Sequence, residues 1–240
     1  LSTMRTHGVQ SLLMGGQACV LYGAAEFSRD TDLALLASAD NFVRLSSALD
    51  ELGARVIAVP PFKLEYIKRG HAIHFAYGDR ETGRMRIDVM AQMRNVAPFP
   101  ELWERRTTLT LPETGEVEVM SLPDLVTAKK TQRDKDWPMI RRLVEVNYFA
   151  FRSEATDPRL DFWLGELRTP SLLIEAATIF GERARALTQS RPLLRDALDS
   201  NTDAVSAGLS TEENTERQAD REYWAPLRAE LEAFRHGHPG

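Results

Sequence analysis

Three aspartates that lie among apolar residues constrain the fold of this chain more than any other sequence feature. Asp30 and Asp32 are separated by one residue, and Asp88 stands in the alternating segment at 86–90. Aspartate is disfavoured inside β-strands, so its presence in two strand-like segments requires a local reason. Because successive side chains of a strand point to opposite faces, Asp30 and Asp32 are predicted to share one face.

Adjacent carboxylates repel one another unless a cation lies between them. Burying Asp30, Asp32 and Asp88 without a cation would cost several kcal/mol. Hard carboxylate oxygens suit Mg²⁺, which usually binds one or two carboxylates together with substrate phosphates. The sequence therefore predicts a metal site at these residues. The alternative is a set of strand-end residues in turns or ion pairs, with Arg29 or Arg86 as the neighbouring cation.

A glycine pair precedes the first two aspartates. Gly15 and Gly16 follow the apolar segment 11–14, which is predicted to be a buried strand, and precede a short helix. Glycine permits a tight turn, and backbone N–H groups at a helix N-terminus can approach a phosphate. The alternative is an ordinary turn between a strand and a helix.

The order of these features resembles the nucleotidyltransferase superfamily, typified by DNA polymerase β and the minimal nucleotidyltransferases. Gly15-Gly16, residues 17–29 and Asp30-Thr31-Asp32-Leu33 are similar to a glycine turn, a helix and an Asp-x-Asp strand, and Asp88 matches the third aspartate. The phrases Gly-Gly-Gln-Ala-Cys-Val-Leu-Tyr-Gly and Ser-Arg-Asp-Thr-Asp-Leu are similar to the bacterial branch that includes abortive-infection toxin nucleotidyltransferases. The resemblance covers about residues 11–145.

The resemblance implies an enzyme that transfers a nucleotidyl group from an NTP to a hydroxyl acceptor and releases pyrophosphate. It implies two Mg²⁺ ions, with Mn²⁺ as a substitute, ligated by Asp30 and Asp32, while Asp88 ligates one ion and helps to deprotonate the attacking hydroxyl. Gly15 and Gly16 would hold phosphate oxygens. The acceptor is left open between an RNA end, a protein and a small molecule, in a toxin–antitoxin or phage-defence setting.

Two further groups of residues are candidates for binding the nucleotide. Ser28 and Arg29 precede the aspartate pair, and Arg29 either contacts phosphate or pairs with Glu26. Lys129 and Arg133 are predicted to prolong the core-facing stripe of a helix that begins near residue 122, where they would offset triphosphate charge. The alternative for this basic segment is a solvated face with local ion pairs.

The expected fold class is α+β, with a nucleotidyltransferase-type mixed sheet flanked by helices and an all-helical domain after it. Strand-like segments occur only before Met120, so we expect a catalytic domain over 1–120 and a helical domain over 121–240. Breaks in the helical part are predicted near Pro158, Pro170 and Pro192 and at 199–211. Asp40 is predicted to cap a helix over 41–52, and segments 71–77 and 84–90 are predicted to pair around a turn at 78–83.

The composition excludes some classes of protein. No apolar run approaches the roughly 20 residues needed to span a bilayer, so no membrane partner is expected. The N-terminal residues lack the apolar stretch of a secretory signal, and Cys19 is the only cysteine, which predicts a cytoplasmic location and a buried apolar role for that residue. The net charge of −5 argues against broad electrostatic binding of nucleic acid, although a local basic patch stays open.

A second class of function is a catalytically silent module that binds nucleotide or a partner protein on the same fold. Gln17 follows the glycines at a position where many active relatives carry serine, which favours this alternative, whereas the three carboxylates favour the enzyme. His71 and His74 lie three residues apart on a predicted strand, where they would face opposite sides. They are therefore interpreted as structural residues.

Overall fold

The computed structural model describes residues 1–78, 85–112 and 114–237. The chain divides into two compact units. The first comprises residues 1–128 together with the end of the chain from Glu222, and the second comprises residues 129–221.

The first unit is built on a mixed sheet of seven strands in the order β3-β4-β5-β2-β1-β7-β6. The strands are β1 Ser11–Met14, β2 Asp30–Leu35, β3 Arg55–Val56, β4 Ile73–Tyr77, β5 Met85–Met90, β6 Thr107–Leu111 and β7 Gly115–Val119. β2 pairs in parallel with β5 and antiparallel with β1, while β1 pairs in parallel with β7. The predicted α+β class is confirmed at this level: a mixed sheet is followed by a helical C-terminal region.

Twelve α-helices occur in the described part of the chain: α1 Ser2–Thr6, α2 Gly15–Leu21, α3 Ala39–Glu51, α4 Leu64–Lys68, α5 Phe99–Arg105, α6 Leu122–Ala128, α7 Asp136–Phe151, α8 Asp157–Glu166, α9 Pro170–Ile179, α10 Gly181–Ala186, α11 Leu194–Leu198 and α12 Thr202–Arg235. A short 3₁₀ helix, Arg152–Glu154, follows α7. Within the described residues, no helix has the length and apolar character that crossing a membrane would require.

The alternation of β2 and β5 places apolar side chains on one face of the sheet. Leu33 of β2 and Val89 of β5 are register partners, and each is almost completely buried. Burying such side chains contributes about 1.5–3 kcal/mol each, so this face anchors the two strands in register. The opposite face of β2 and β5 is partly open to solvent, and it carries the three aspartates.

The predicted strands agree with the observed ones at most positions. β4 and β5 pair antiparallel, as expected for segments 71–77 and 84–90, although His71 precedes the strand. The predicted turn lies outside the described residues except for Gly78. β3 is only two residues long, and it is followed by Pro60 and Pro61, which cannot donate to a sheet.

The compact units do not follow the predicted boundary at residues 120 and 121. Helix α6 belongs to the first unit, as does the last part of the chain from Glu222. There Phe234 packs edge-on against Tyr66, with ring centroids 5.2 Å apart, and Glu230 accepts a hydrogen bond from His71 at 2.7 Å. The prediction divided the chain by secondary-structure type, whereas these contacts join a terminal helix to the sheet domain.

The cap of α3 differs from the predicted one. The side chain of Ser38 accepts a hydrogen bond from the backbone N–H of Asn41, so Ser38 is the N-cap and the helix begins at Ala39. Asp40 lies in the first helical turn, where a carboxylate interacts favourably with the helix dipole but does not cap the backbone. The predicted cap at Asp40 is therefore wrong.

Replacing Ser38 with Ala is expected to lower the free energy of unfolding by about 1 kcal/mol, because one N–H group of the first turn loses its acceptor. Asp40→Ala is the matched control and should cost clearly less. Urea unfolding of both variants measures the two costs. An equal or larger effect at Asp40 would contradict the assignment of the cap.

The second unit is helical, with α7 to α11 and the beginning of α12. Trp163 and Tyr148 are fully buried and pack edge-to-face, with ring centroids 5.3 Å apart. The predicted break near Pro170 is confirmed, since that residue stands in the first turn of α9. The break predicted over 199–211 is mostly wrong, because α12 begins at Thr202 and runs without interruption to Arg235.

Candidate functional site

The register of β2 and β5 brings the three aspartates to one face of the sheet. Asp32 is the direct register partner of Asp88, and Asp30 is the partner of Arg86. Register partners on neighbouring strands project to the same face, and the strands lie about 4.8 Å apart. All three aspartates are half-buried, whereas Thr31 between the first two is buried on the opposite face. The predicted shared face of Asp30 and Asp32 is thus observed.

The glycine pair is explained by the close approach of Asp32. Gly15 has a backbone φ of +67°, a left-handed conformation that favours glycine. A Cβ at Gly15 would lie 2.7 Å from the Cβ of Asp32 and would overlap its carboxylate. The backbone N of Gly16 lies 3.4 Å from Oδ2 of Asp32. Residues with side chains at position 15 would therefore displace this aspartate.

Ser28 occupies the space beside the second glycine. A Cβ at Gly16 would lie 2.9 Å from the Cβ of Ser28, and the hydroxyl of Ser28 donates to the backbone carbonyl of Asp30 at 3.3 Å. Arg29 points elsewhere: it is exposed, and its guanidinium lies 6.0 Å from the ring centre of Phe27. Ser28 thus belongs to the glycine–aspartate cluster. The observed partner of Arg29 is the ring of Phe27, and not Glu26, which was one of its two predicted partners.

Two basic side chains converge on one oxygen of Asp88. Nε of Arg86 donates to Oδ1 of Asp88 at 2.7 Å, and Nδ1 of His74 lies 2.9 Å from the same oxygen. Nη2 of Arg86 also lies 3.0 Å from Nδ1 of His74, so that the tautomer of His74 decides which of the two contacts is a hydrogen bond. Arg86 therefore holds Asp88 directly and can also bind His74.

The electrostatics of this cluster keep Asp88 ionised. Burial raises the pKa of Asp88, but hydrogen bonds from His74 and Arg86 and the positive charge of Arg86 outweigh it, so the pKa lies below its ordinary value. The hydrogen bond to Asp88 raises the pKa of Arg86 against the effect of burial, and the charges of Asp88, Asp30 and Asp32 raise it further. Arg86 thus interacts electrostatically with all three carboxylates.

Replacing Arg86 with Gln is expected to move the pKa of Asp88 upwards, because Asp88 loses a hydrogen bond from a cation and the positive charge of that cation. Carboxyl ¹³C NMR titration measures that pKa, and Arg29→Gln is the control that leaves it unchanged. A carboxylate with a depressed pKa stabilises the folded state above its unfolded pKa of about 3.9 and loses that contribution as the pH falls below it. An unchanged titration of Asp88 in Arg86→Gln would contradict the assigned ion pair.

Lys129 and Arg133 do not lie on a helix, in contrast to the prediction. Helix α6 ends at Ala128, and both residues stand in the segment that connects it to α7. Nζ of Lys129 lies 3.6 Å from Oδ1 of Asp136, and Nε of Arg133 donates to Oδ2 of Asp136 at 2.7 Å.

The helix ends there because side chains offer the backbone other partners. The Thr131 hydroxyl donates to Asp136, and the indole N–H of Trp137 donates to the carbonyl of Thr131 at 2.8 Å. Lys129 is buried and Arg133 is exposed, but both share the buried carboxylate of Asp136. The observed contacts of these two cations are the local ion pairs of the alternative interpretation.

Carboxylate oxygens of Asp30, Asp32 and Asp88 are a suitable donor set for Mg²⁺, and the carboxylate of Asp32 fills the space that Gly15 leaves. Within the described residues, no group of three or more His, Cys, Asp or Glu side chains is arranged to hold a metal ion. One oxygen of Asp88 is bound by Arg86, so metal ligation by all three would require side-chain rearrangement.

His74 is the residue of this cluster that the sequence interpretation did not include. It is the register partner of Asp88 across β4 and β5, and its side chain is a quarter exposed on the aspartate face. Alternation along β4 predicts which residues share a face with His74, but it does not predict which residue of a neighbouring strand lies beside it. The pairing of β4 with β5 is needed to bring it to Asp88.

A comparison with known protein families finds no match for this chain, and a comparison with curated proteins finds none either.

Proposed function

We propose that this protein is an Mg²⁺-dependent nucleotidyltransferase that transfers a nucleotidyl group from an NTP to a hydroxyl acceptor. The observation that carries the proposal is the register of Asp32 with Asp88 on one face of the sheet, with Asp30 beside them and Gly15 beneath the carboxylate of Asp32. The order of the sequence motifs supports the same fold family, with its catalytic domain and its helical domain.

Asp30 and Asp32 would hold two Mg²⁺ ions, or Mn²⁺ in their place, and Asp88 would hold one. The metal supplies Lewis-acid stabilisation of the triphosphate and of the leaving pyrophosphate. Asp88 accepts the proton of the acceptor hydroxyl, since it is ionised and one of its oxygens, Oδ2, has no hydrogen-bond partner among the described residues. Gly15 leaves the space that the carboxylate of Asp32 occupies, and the backbone N–H groups of Gly15 and Gly16 would hold phosphate oxygens.

We assign the balancing of the carboxylate and phosphate charges in the nucleotide complex to Arg86 first. Arg86 offsets the carboxylates before the nucleotide binds, and it can turn towards phosphate once metal takes its place beside Asp88. Ser28 orients the start of β2 through the carbonyl of Asp30. Arg29 is a second candidate for phosphate contact because it is exposed, whereas Lys129 and Arg133 pair with Asp136 in the second unit.

The experiment is incubation with labelled ATP, CTP, GTP and UTP and Mg²⁺ in the presence of cell extract, followed by pyrophosphate measurement and identification of the labelled macromolecule. Pyrophosphate release that depends on the protein and on Mg²⁺ supports the proposal. The labelled species identifies the acceptor as RNA, protein or small molecule, and labelled RNA or protein would fit a toxin or phage-defence role. Absence of nucleotide consumption with every NTP would contradict the enzyme.

A catalytically silent module is the second candidate, and the ion pair between Arg86 and Asp88 favours it. A permanent guanidinium at Asp88 would replace a metal ion and leave a site that binds nucleotide without turnover. Calorimetry with each NTP and Mg²⁺ separates the two candidates when it is combined with the pyrophosphate assay. Binding without consumption supports the silent module.

A further inference from the structure

The solvent-facing side of α7 in the second unit carries charges of one sign only. The exposed charged side chains between residues 135 and 152 are all cations: Lys135, Arg141, Arg142 and Arg152. The two carboxylates of the stretch do not balance them. Asp136 is buried in its ion pairs, and Glu145 is half-buried and accepts a hydrogen bond from Thr169. This concentration of positive charge contrasts with the net charge of −5 of the chain.

Most of these cations are not neutralised within their own unit. Within residues 129–221, all of which the structure describes, Lys135, Arg141 and Arg142 form no ion pair. Arg152 is the exception, since its Nη1 lies 3.0 Å from Oε1 of Glu175. Lys135 and Arg142 are seven residues apart and therefore lie on one face, whereas Arg141 projects to another side of the helix. Uncompensated cations on one face attract a polyanion and release its counterions when it binds.

Exposed apolar side chains lie between the cations. Phe149 is 53% exposed and Val146 is 39% exposed. Lys135, Arg142, Val146 and Phe149 follow one another at spacings of seven, four and three residues, which places them on one face over about 20 Å. The guanidinium of Arg152 lies 5.5 Å from the ring centre of Phe149. An open aromatic ring with an arginine beside it is a platform on which a nucleobase can stack.

We propose that this face of α7 binds single-stranded nucleic acid, with Lys135 and Arg142 on phosphates and Phe149 under a base. An acidic protein surface would use the cations but would not need an exposed aromatic ring between them. The binding surface itself is independent of the proposed function. Its assignment as the place that holds a polynucleotide acceptor rests on that function.

The test is the binding of a fluorescent oligouridylate of about twenty nucleotides to the full chain by anisotropy, over a range of salt concentrations. The double variant Lys135→Gln/Arg142→Gln is expected to weaken binding about tenfold or more and to lower the salt slope by about 1.4, that is about 0.7 for each lost phosphate contact. Phe149→Ala is expected to weaken binding about tenfold without changing the salt slope.

Matched variants on other helices of the same unit are the controls. Arg185→Gln/Arg195→Gln removes the same charge from exposed positions, and Ile179→Ala removes an exposed apolar side chain. Both should bind as the wild type does, and oligothymidylate of the same length shows whether RNA is preferred. Equal losses in the controls, or equal competition by polyglutamate, would overturn the proposal. Since no NTP is added, a failure here is distinct from a failure of nucleotide transfer.

Discussion

Replacing Asp32 with Asn is expected to lower kcat/KM for nucleotide consumption by at least about 10³-fold, which corresponds to about 4 kcal/mol of transition-state stabilisation. The amide is isosteric with the carboxylate but carries no charge, so it ligates Mg²⁺ poorly and cannot balance two cations. The free energy of unfolding should stay within about 1 kcal/mol of the wild type, because Asn keeps the space above Gly15 filled. Pyrophosphate release and urea unfolding measure the two quantities.

The control for this prediction is Asp40→Asn, which makes the same chemical change at an exposed position of α3. It should leave nucleotide consumption unchanged. Full activity of Asp32→Asn would contradict a catalytic role of the aspartate face. A joint loss of activity and folding would instead indicate that Asp32 is needed for structure.

Replacing Gly15 with Ala is expected to lower the free energy of unfolding by about 4 kcal/mol and to abolish activity. Two costs add: the left-handed backbone disfavours any residue with a Cβ by about 1–2 kcal/mol, and the new methyl group overlaps the carboxylate of Asp32. Asp32 must then move away from its position opposite Asp88. Chemical unfolding gives the first effect, and pyrophosphate release gives the second.

Gly53→Ala isolates the backbone part of this effect. Gly53 has a similar φ of +62°, and a Cβ there would meet no atom within 4 Å. Its replacement should therefore cost only the backbone strain, about 1–2 kcal/mol, and leave activity intact. Equal costs at the two positions would show that Asp32 does not need the space above Gly15.

The part of the site that could be predicted from the sequence is local. Alternation within one strand places Asp30 and Asp32 on one face without any knowledge of the fold. The partnership of Asp32 with Asp88 could not be derived in this way, because it depends on parallel pairing of strands that are far apart in sequence. The chemistry of the three carboxylates and the family resemblance predict it, but neither gives the register. The contact of His74 with Asp88 could not be derived either, since it depends on the register of β4 with β5.

The errors in the prediction of the fold also have local causes. The helix from Leu122 was extended through Lys129 because spacing alone cannot reveal that Thr131 and Asp136 bond to each other and to the adjoining backbone and end the helix. The predicted break at 199–211 is mostly absent, because its polar residues are compatible with the solvent-facing side of the long helix α12. The capping role of Ser38 was missed because Asp40 has an equally suitable side chain, and only the backbone geometry distinguishes them.

The most direct test of the proposed chemistry is a crystal structure with Mn²⁺ and a non-hydrolysable NTP, in which anomalous scattering locates the metal. We expect manganese at the carboxylates of Asp30 and Asp32, with one ion also bound by Asp88 and with two ions about 3.5–4 Å apart. Arg86 should then have left Oδ1 of Asp88 or turned towards phosphate. An ion pair between Arg86 and Asp88 that persists, with no anomalous peak on the aspartate face, would contradict the account.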